Sequence, residues 1–380
     1  MLSALNRGLG GLGGGGKPDA AKPVIAAPLP DPVVIEDAKT APESWIPPLH
    51  VGQLRAVVST NANSEENPTP FLITAGEDRD ICVVNGSTGE LVRRISGFTG
   101  RPCHPGHRDK VYCLALWFNP EIQQTHIYSA GEDRAIRVWN METGKHIQTL
   151  AQVHTEFIHS LRVCDATSQL VSASYDKSIV VWSLKTGAQM DLFRHDRVLF
   201  GCDLNPEARA VACGNGAHIY IWDLTTGRRT TTLRIHKRTV TSIAFPKPDL
   251  LISGSDDKSL CFWNPTDQVA PLLRRIDLGA PAYSLQVYND ETAFFVAVGT
   301  FGEPHCIHVY NLSGAHELLL TYRGHTNKVV DMILWSDAEG MPKLASLGWD
   351  RKLFTWDLVP VVQAIHEQAT KMKNKTSKTF

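Results

Sequence analysis

No apolar run in these 380 residues approaches the roughly 18 that a membrane-spanning helix needs, and none of the eight cysteines is spaced as CxxC. The first absence argues against a membrane protein. The second, with thiols set inside apolar stretches such as Val111-Tyr-Cys-Leu-Ala-Leu116, points to reduced core cysteines of an intracellular protein. Net charge is missing as well. Lysine plus arginine number 38 against 39 acidic residues, so no overall field draws the chain to nucleic acid or anionic lipid. The opening Met1-Leu-Ser-Ala-Leu-Asn-Arg7 runs into glycine before a signal-peptide core could form. Because the first acidic residue is Asp19, a short mitochondrial presequence stays open beside a cytoplasmic or nuclear location.

What is present is a repeat. Ser129-Ala-Gly-Glu-Asp133-Arg-Ala-Ile-Arg-Val-Trp139 overlays Ser172-Ala-Ser-Tyr-Asp176-Lys-Ser-Ile-Val-Val-Trp182, and both overlay Ser253 to Trp263 and Ser346 to Trp356. The interval from Asp to Trp is constant, as 139−133, 182−176, 263−257 and 356−350 show. Weaker copies end at Asp78 to Val84, Gly216 to Trp222 and Thr300 to Tyr310, making seven units in all. Their period of about forty-odd residues is that of a propeller blade. Upstream of most copies a histidine precedes an apolar run: His107, His154, His195, His236 and His325.

In these residues, from about position 50 to 358, the chain resembles the WD-repeat family. The resemblance implies an all-β, seven-bladed propeller over residues 33–359. A disordered Gly/Pro/Ala-rich extension over 1–32 precedes it, and a short amphipathic helix with a basic tail over 360–380 follows. It implies four hydrogen-bonded chains within blades: His107/Ser129/Asp133/Trp139, His154/Ser172/Asp176/Trp182, His236/Ser253/Asp257/Trp263 and His325/Ser346/Asp350/Trp356. A buried carboxylate must find donors, and imidazole, hydroxyl and indole supply them. Three blades depart from the pattern. Val84 replaces Trp in the first, Gly216 replaces Asp in the fourth, and the sixth lacks both His and Asp, so the sixth is expected to be irregular. Ring closure needs an outer strand from before the first blade, for which Val33-Val-Ile35 is the candidate.

Other motifs carry no chemistry. Gly8-x-Gly10-x-x-Gly13 and Gly11 to Lys17 imitate phosphate-binding loops, but no strand precedes them and Pro18 stands where Ser or Thr must be. Cys103, His104 and His107 lie close together but fall short of four zinc ligands. No metal, cofactor, small-molecule substrate or catalytic set is expected, because Ser, His and Asp recur together only as the repeat.

Function is therefore expected on a surface. The turns holding each repeat Asp should open on one face, where Glu77, Glu132, Tyr175, Asp256 and Trp349 precede the Asp and Tyr112 and Phe157 flank neighbouring strands. Aromatic anchors dominate interfaces, so these seven residues form the candidate site for protein partners. The reading is a non-catalytic scaffold subunit. The alternative is an RNA- or ribonucleoprotein-associated subunit using Lys110, Lys328 and the basic tail.

Overall fold

A computed structural model describes residues 44–46, 49–60, 70–100, 105–195, 197–205, 210–267, 269–289, 293–303, 305–313, 316–337 and 339–376. The described strands form seven four-stranded antiparallel sheets. In chain order the first six cover 54–95, 111–149, 158–194, 202–234, 240–277 and 282–323. The seventh joins 329–357 to the strand Ser44–Ile46. Innermost strands of neighbouring sheets lie against each other all the way round, Leu54–Ser59 touching both Val111–Asn119 and Val329–Ser336, so the ring closes.

Ser44–Ile46 pairs antiparallel with Leu353–Asp357 and takes the outer place on the seventh sheet. The closing strand thus comes from before the first sheet, but it is not Val33–Ile35, which lies outside the described residues, as do the whole 1–32 extension and the Cys103–His104 pair. Three residues suffice there because an outer strand needs ladder bonds on one side only.

There is no single core. Apolar residues collect in seven seams, each shared by two adjacent sheets, as where Leu170, Val180 and Trp182 of the third sheet meet Trp117, Tyr128 and Val138 of the second. This is why third strands such as Ser178–Ser183 are buried on both faces and read as continuous apolar runs. Bulges recur in register. One falls near the start of six inner strands, and another falls at Val84, Trp139, Trp182, Trp222, Trp263 and Tyr310, steepening the twist that wraps each sheet around the axis.

The expected irregularity of the sixth sheet is not found. Its strands pair in full with the same two bulges, because Phe295, Val309 and Tyr310 fill the seams and buried Thr300 closes the turn through its hydroxyl, 2.9 Å from the Cys306 carbonyl. After Asp357 the chain turns into a helix, Val359–Thr376, whose first turn is capped by Asp357 Oδ1 accepting from the Val359 amide at 3.0 Å. Val361 and Ile365 of this helix pack into the seam of the sixth and seventh sheets beside Tyr322 and Trp356, so the helix docks on the propeller itself.

Candidate interaction face

In four sheets the repeat places its histidine under the tight turn of its own sheet. In the second sheet His107 Nδ1 is 3.1 Å from Asp133, His107 Nε2 is 2.7 Å from Ser129 Oγ, and Trp139 Nε1 donates to Ser129 Oγ at 2.8 Å. The third sheet repeats this with His154, Asp176, Ser172 and Trp182 at 2.9, 2.7 and 2.9 Å. The fifth does so with His236, Asp257, Ser253 and Trp263 at 3.1, 2.8 and 2.8 Å. In the seventh, His325, Asp350, Ser346 and Trp356 stand at 3.0, 2.8 and 2.7 Å.

Counting donors fixes the direction of the chain. The indole donates to the hydroxyl, the hydroxyl to Nε2, and the Nδ1 proton to the carboxylate, which also accepts the amide of the residue after the histidine: Arg108, Thr155, Lys237 and Thr326. Burial pushes these carboxyls up, but the imidazole and amide donors outweigh it and hold Asp133, Asp176, Asp257 and Asp350 below the ordinary range.

Two features were not visible in the sequence pattern. The first sheet carries three-quarters of the chain, His50 bonding Asp78 at 2.8 Å and Thr74 at 3.0 Å, with Val84 buried where the indole would stand. Its histidine stands 28 residues before Asp78, farther than in any of the four complete sets, and the copy lacks the closing Trp that marks the others. In the second sheet buried Arg137 adds a fifth member, its Nη1 donating to Asp133 at 2.6 Å where Ser178 and Ser259 serve in the third and fifth. His195 instead packs tilted against Tyr220 and edge-on against Trp222, with ring centroids 4.5 and 5.7 Å away.

These turns open on one face around a central channel of about 940 Å³, and the seven candidate residues divide there into two groups. Glu77, Glu132 and Asp256 are engaged internally. Glu77 is ion-paired with Arg55, Lys110 lies 3.9 Å from both Glu77 and Glu132, the Tyr112 hydroxyl donates to Glu132 at 3.2 Å, and Tyr283 hydrogen-bonds Asp256. The Arg55 guanidinium sits 5.5 Å from the Tyr112 ring and 5.3 Å from that of Trp349, which is half-buried and also covered by Lys328 at 4.7 Å. Tyr112, Phe157, Tyr175 and Phe200 then form an arc over the second to fourth sheets, with successive centroids 6.3, 6.0 and 5.7 Å apart. Tyr175 and Phe200 are 39% and 37% exposed. Under them His159, which burial pushes down to about 4 and so keeps neutral, has a buried Nε2 with no hydrogen-bond partner among the described residues.

Inside the channel Arg162 pairs with Asp203 at 3.3 Å, and Asp331 accepts the Val57 amide at 2.9 Å across the seam of the seventh and first sheets. Among the described residues no group of three His, Cys, Asp or Glu could hold a metal ion, six free cysteines are all buried, and no helix is long and apolar enough to cross a membrane.

A closed ring of four-stranded sheets, several pinned by the same buried His–Ser–Asp–Trp chain, defines a repeat β-propeller. The model of the WD40 family, described as WD domain, G-beta repeat, matches residues 100–140, 144–183 and 227–264, so these stretches are WD40 repeats. It is 31% identical over 142 residues to the E3 ubiquitin-protein ligase COP1 of Arabidopsis thaliana, covering 37% of this chain and 20% of that protein. Over 79 residues it is 33% identical to THO complex subunit 6 of Homo sapiens, covering 21% and 19%. Over 172 residues it is 30% identical to the periodic tryptophan protein 2 homolog of Dictyostelium discoideum, covering 42% and 18%. The chain spans about a fifth of the length of the curated relatives it matches. Propellers of this family typically serve as protein-interaction scaffolds.

Proposed function

We propose that this protein is a non-catalytic scaffold subunit of an intracellular macromolecular complex, holding protein partners on the face where the Asp-bearing turns emerge. The observation that carries the reading is the arc of Tyr112, Phe157, Tyr175 and Phe200, whose outer rings stay exposed while the other large groups of the face are engaged with one another. Contiguous aromatic surface of this kind supplies interface anchors. The absence of catalysis is supported by the Ser–His–Asp sets, each consumed by an indole-anchored structural chain. The relatives named as a THO complex subunit and as a ubiquitin ligase accord with work inside assemblies.

The test pairs binding with folding. Tyr175→Ala with Phe200→Ala should remove the principal partners from an affinity purification read by mass spectrometry, since hot-spot truncations cost about 2 kcal/mol or more of binding. The thermal midpoint should fall only modestly, because each ring keeps more than a third of its surface exposed. Adding Trp349→Ala should lower the midpoint further, as its ring is wedged between Arg55 and Lys328. Retained partners in the double variant would place the binding surface elsewhere. The RNA-facing alternative has weaker support, since Lys110 stands between two carboxylates and Lys328 lies against rings; it would show as salt-dependent RNA retention.

A further inference from the structure

Lys328 stands at the channel mouth in surroundings unlike those of any other described lysine. Its Nζ lies 2.9 Å from the ring centroid of Tyr283, 4.7 Å from that of Trp349 and 5.9 Å from that of Phe301. The Arg55 guanidinium shares the Trp349 ring at 5.3 Å, which puts two cations on one indole. No described carboxylate is ion-paired with Lys328. Asp256, which attracts it, is hydrogen-bonded to the Tyr283 hydroxyl, and Glu77 is bound to Arg55. The amine has therefore lost water and gained a like charge, while the carboxylate that attracts it makes no ion pair with it, the conditions under which lysine becomes a neutral nucleophile. Ring faces return only about 0.5–2 kcal/mol to the ammonium. In sum, burial pushes the amine down to about 7 against the pull of Asp256, with Arg55 adding a smaller push in the same direction as burial. The side chain is only half-buried, and Phe301 beside it is 38% exposed, so a small reagent can approach from the face.

We propose that Lys328 is a modification site, a nucleophilic lysine that accepts the acyl group of small acyl thioesters. The neutral Nζ attacks the thioester carbonyl carbon, a C–N bond forms and the C–S bond breaks. The thiolate leaves, and the proton lost from nitrogen passes to it. The product is a neutral amide that leaves Arg55 as the one cation on Trp349 and adds apolar surface to the face. Lower basicity weakens an amine nucleophile by only a fractional power, whereas its neutral fraction rises by the full factor. The gain therefore exceeds the loss.

The test uses the full chain and the acetyl thioester of N-acetylcysteamine, with the rate at each lysine read by peptide mass spectrometry between about pH 6 and pH 9. At neutral pH Lys328 should be acetylated about tenfold or more faster than Lys177 and Lys258, exposed lysines of the same face. Its rate should level off above about pH 7.5 while theirs keep climbing. In Asp256→Asn, which removes the attracting carboxylate, the levelling should move to lower pH. Equal or slower acetylation of Lys328, a profile that tracks Lys177, or a profile unmoved in Asp256→Asn would each overturn the proposal.

Discussion

At the scale of single residues the fold rests on carboxylates that are almost fully buried yet fully provided with donors. Asp176 and Asp257 have side chains 7% and 3% exposed, and each accepts from an imidazole, two backbone amides and a serine hydroxyl. Replacing either by Ala leaves several donors unpaired and should cost a few kcal/mol in urea unfolding. Asn215→Ala, beside the fourth turn where Gly216 stands in place of Asp, should cost well under half as much. Arg137 sharpens the comparison. It is buried and donates to Asp133 at 2.6 Å, so Arg137→Ala takes the guanidinium from a buried carboxylate, leaving it only its imidazole and amide donors, and should cost about 3 kcal/mol, more than the ~1 kcal/mol expected of Ser178→Ala. Equal costs would mean the guanidinium is dispensable. The four Asp-to-Trp intervals could be read from spacing, because a constant interval survives every change between, whereas the hydrogen-bonded chains themselves are what the resemblance to the WD-repeat family implies. His50 and Arg137 could not be read so. His50 stands 28 residues before Asp78, farther than in any of the four complete sets, in a copy that ends in Val84 instead of Trp, and Arg137 is indistinguishable in sequence from any polar residue alternating in a strand.

At the scale of elements, spacing again shows what was legible and what was not. Third strands and the terminal helix were readable because burial on both faces, and on one stripe, leaves distinct apolar periods. The closing strand was not. Ser44-Trp-Ile46 is three residues followed by two prolines, a weaker β signal than Val33-Val-Ile35, and its position is decided by pairing with Leu353–Asp357 rather than by its own propensity. The exposed aromatic arc was half legible. Tyr112, Phe157 and Tyr175 follow from their places beside strands and turns, whereas Phe200 enters only because the fourth sheet brings it to Tyr175. The pairing of Ser44–Ile46 predicts the effect of losing it. A chain starting at Leu49 leaves the strand Leu353–Asp357 as an unpaired edge, so it should melt lower and associate in light scattering, while a chain starting at residue 40 should do neither. Indistinguishable melting of the two would show that the seventh sheet does not depend on its fourth strand.

At the scale of the whole molecule, stability is divided among seven seams, and the seam between the seventh and first sheets is the one that joins the two ends of the ring. That seam holds a charge with the opposite pH behaviour to the repeat aspartates. The repeat carboxyls are held below their ordinary range, so the stability they contribute is complete above about pH 4, the unfolded value, and is lost as pH falls through their folded values. Asp331 lies on the channel wall, where burial pushes it up to about 6 despite the Val57 and Met332 amides and the attraction of Arg162. A raised carboxyl favours folding below the unfolded value and gives up that advantage as pH rises through about 6. Asp331→Asn keeps an oxygen for the Val57 amide and removes the charge. It should therefore raise stability by about 1–2 kcal/mol near pH 8 and change it little near pH 4, flattening the neutral limb of the stability profile while leaving the acid limb, set by the repeat aspartates, in place. Thermal melts of both proteins across that range decide the matter. A variant less stable than the parent near pH 8 would mean that the ionised Asp331–Val57 bond holds the ring shut more strongly than burial of its charge opens it.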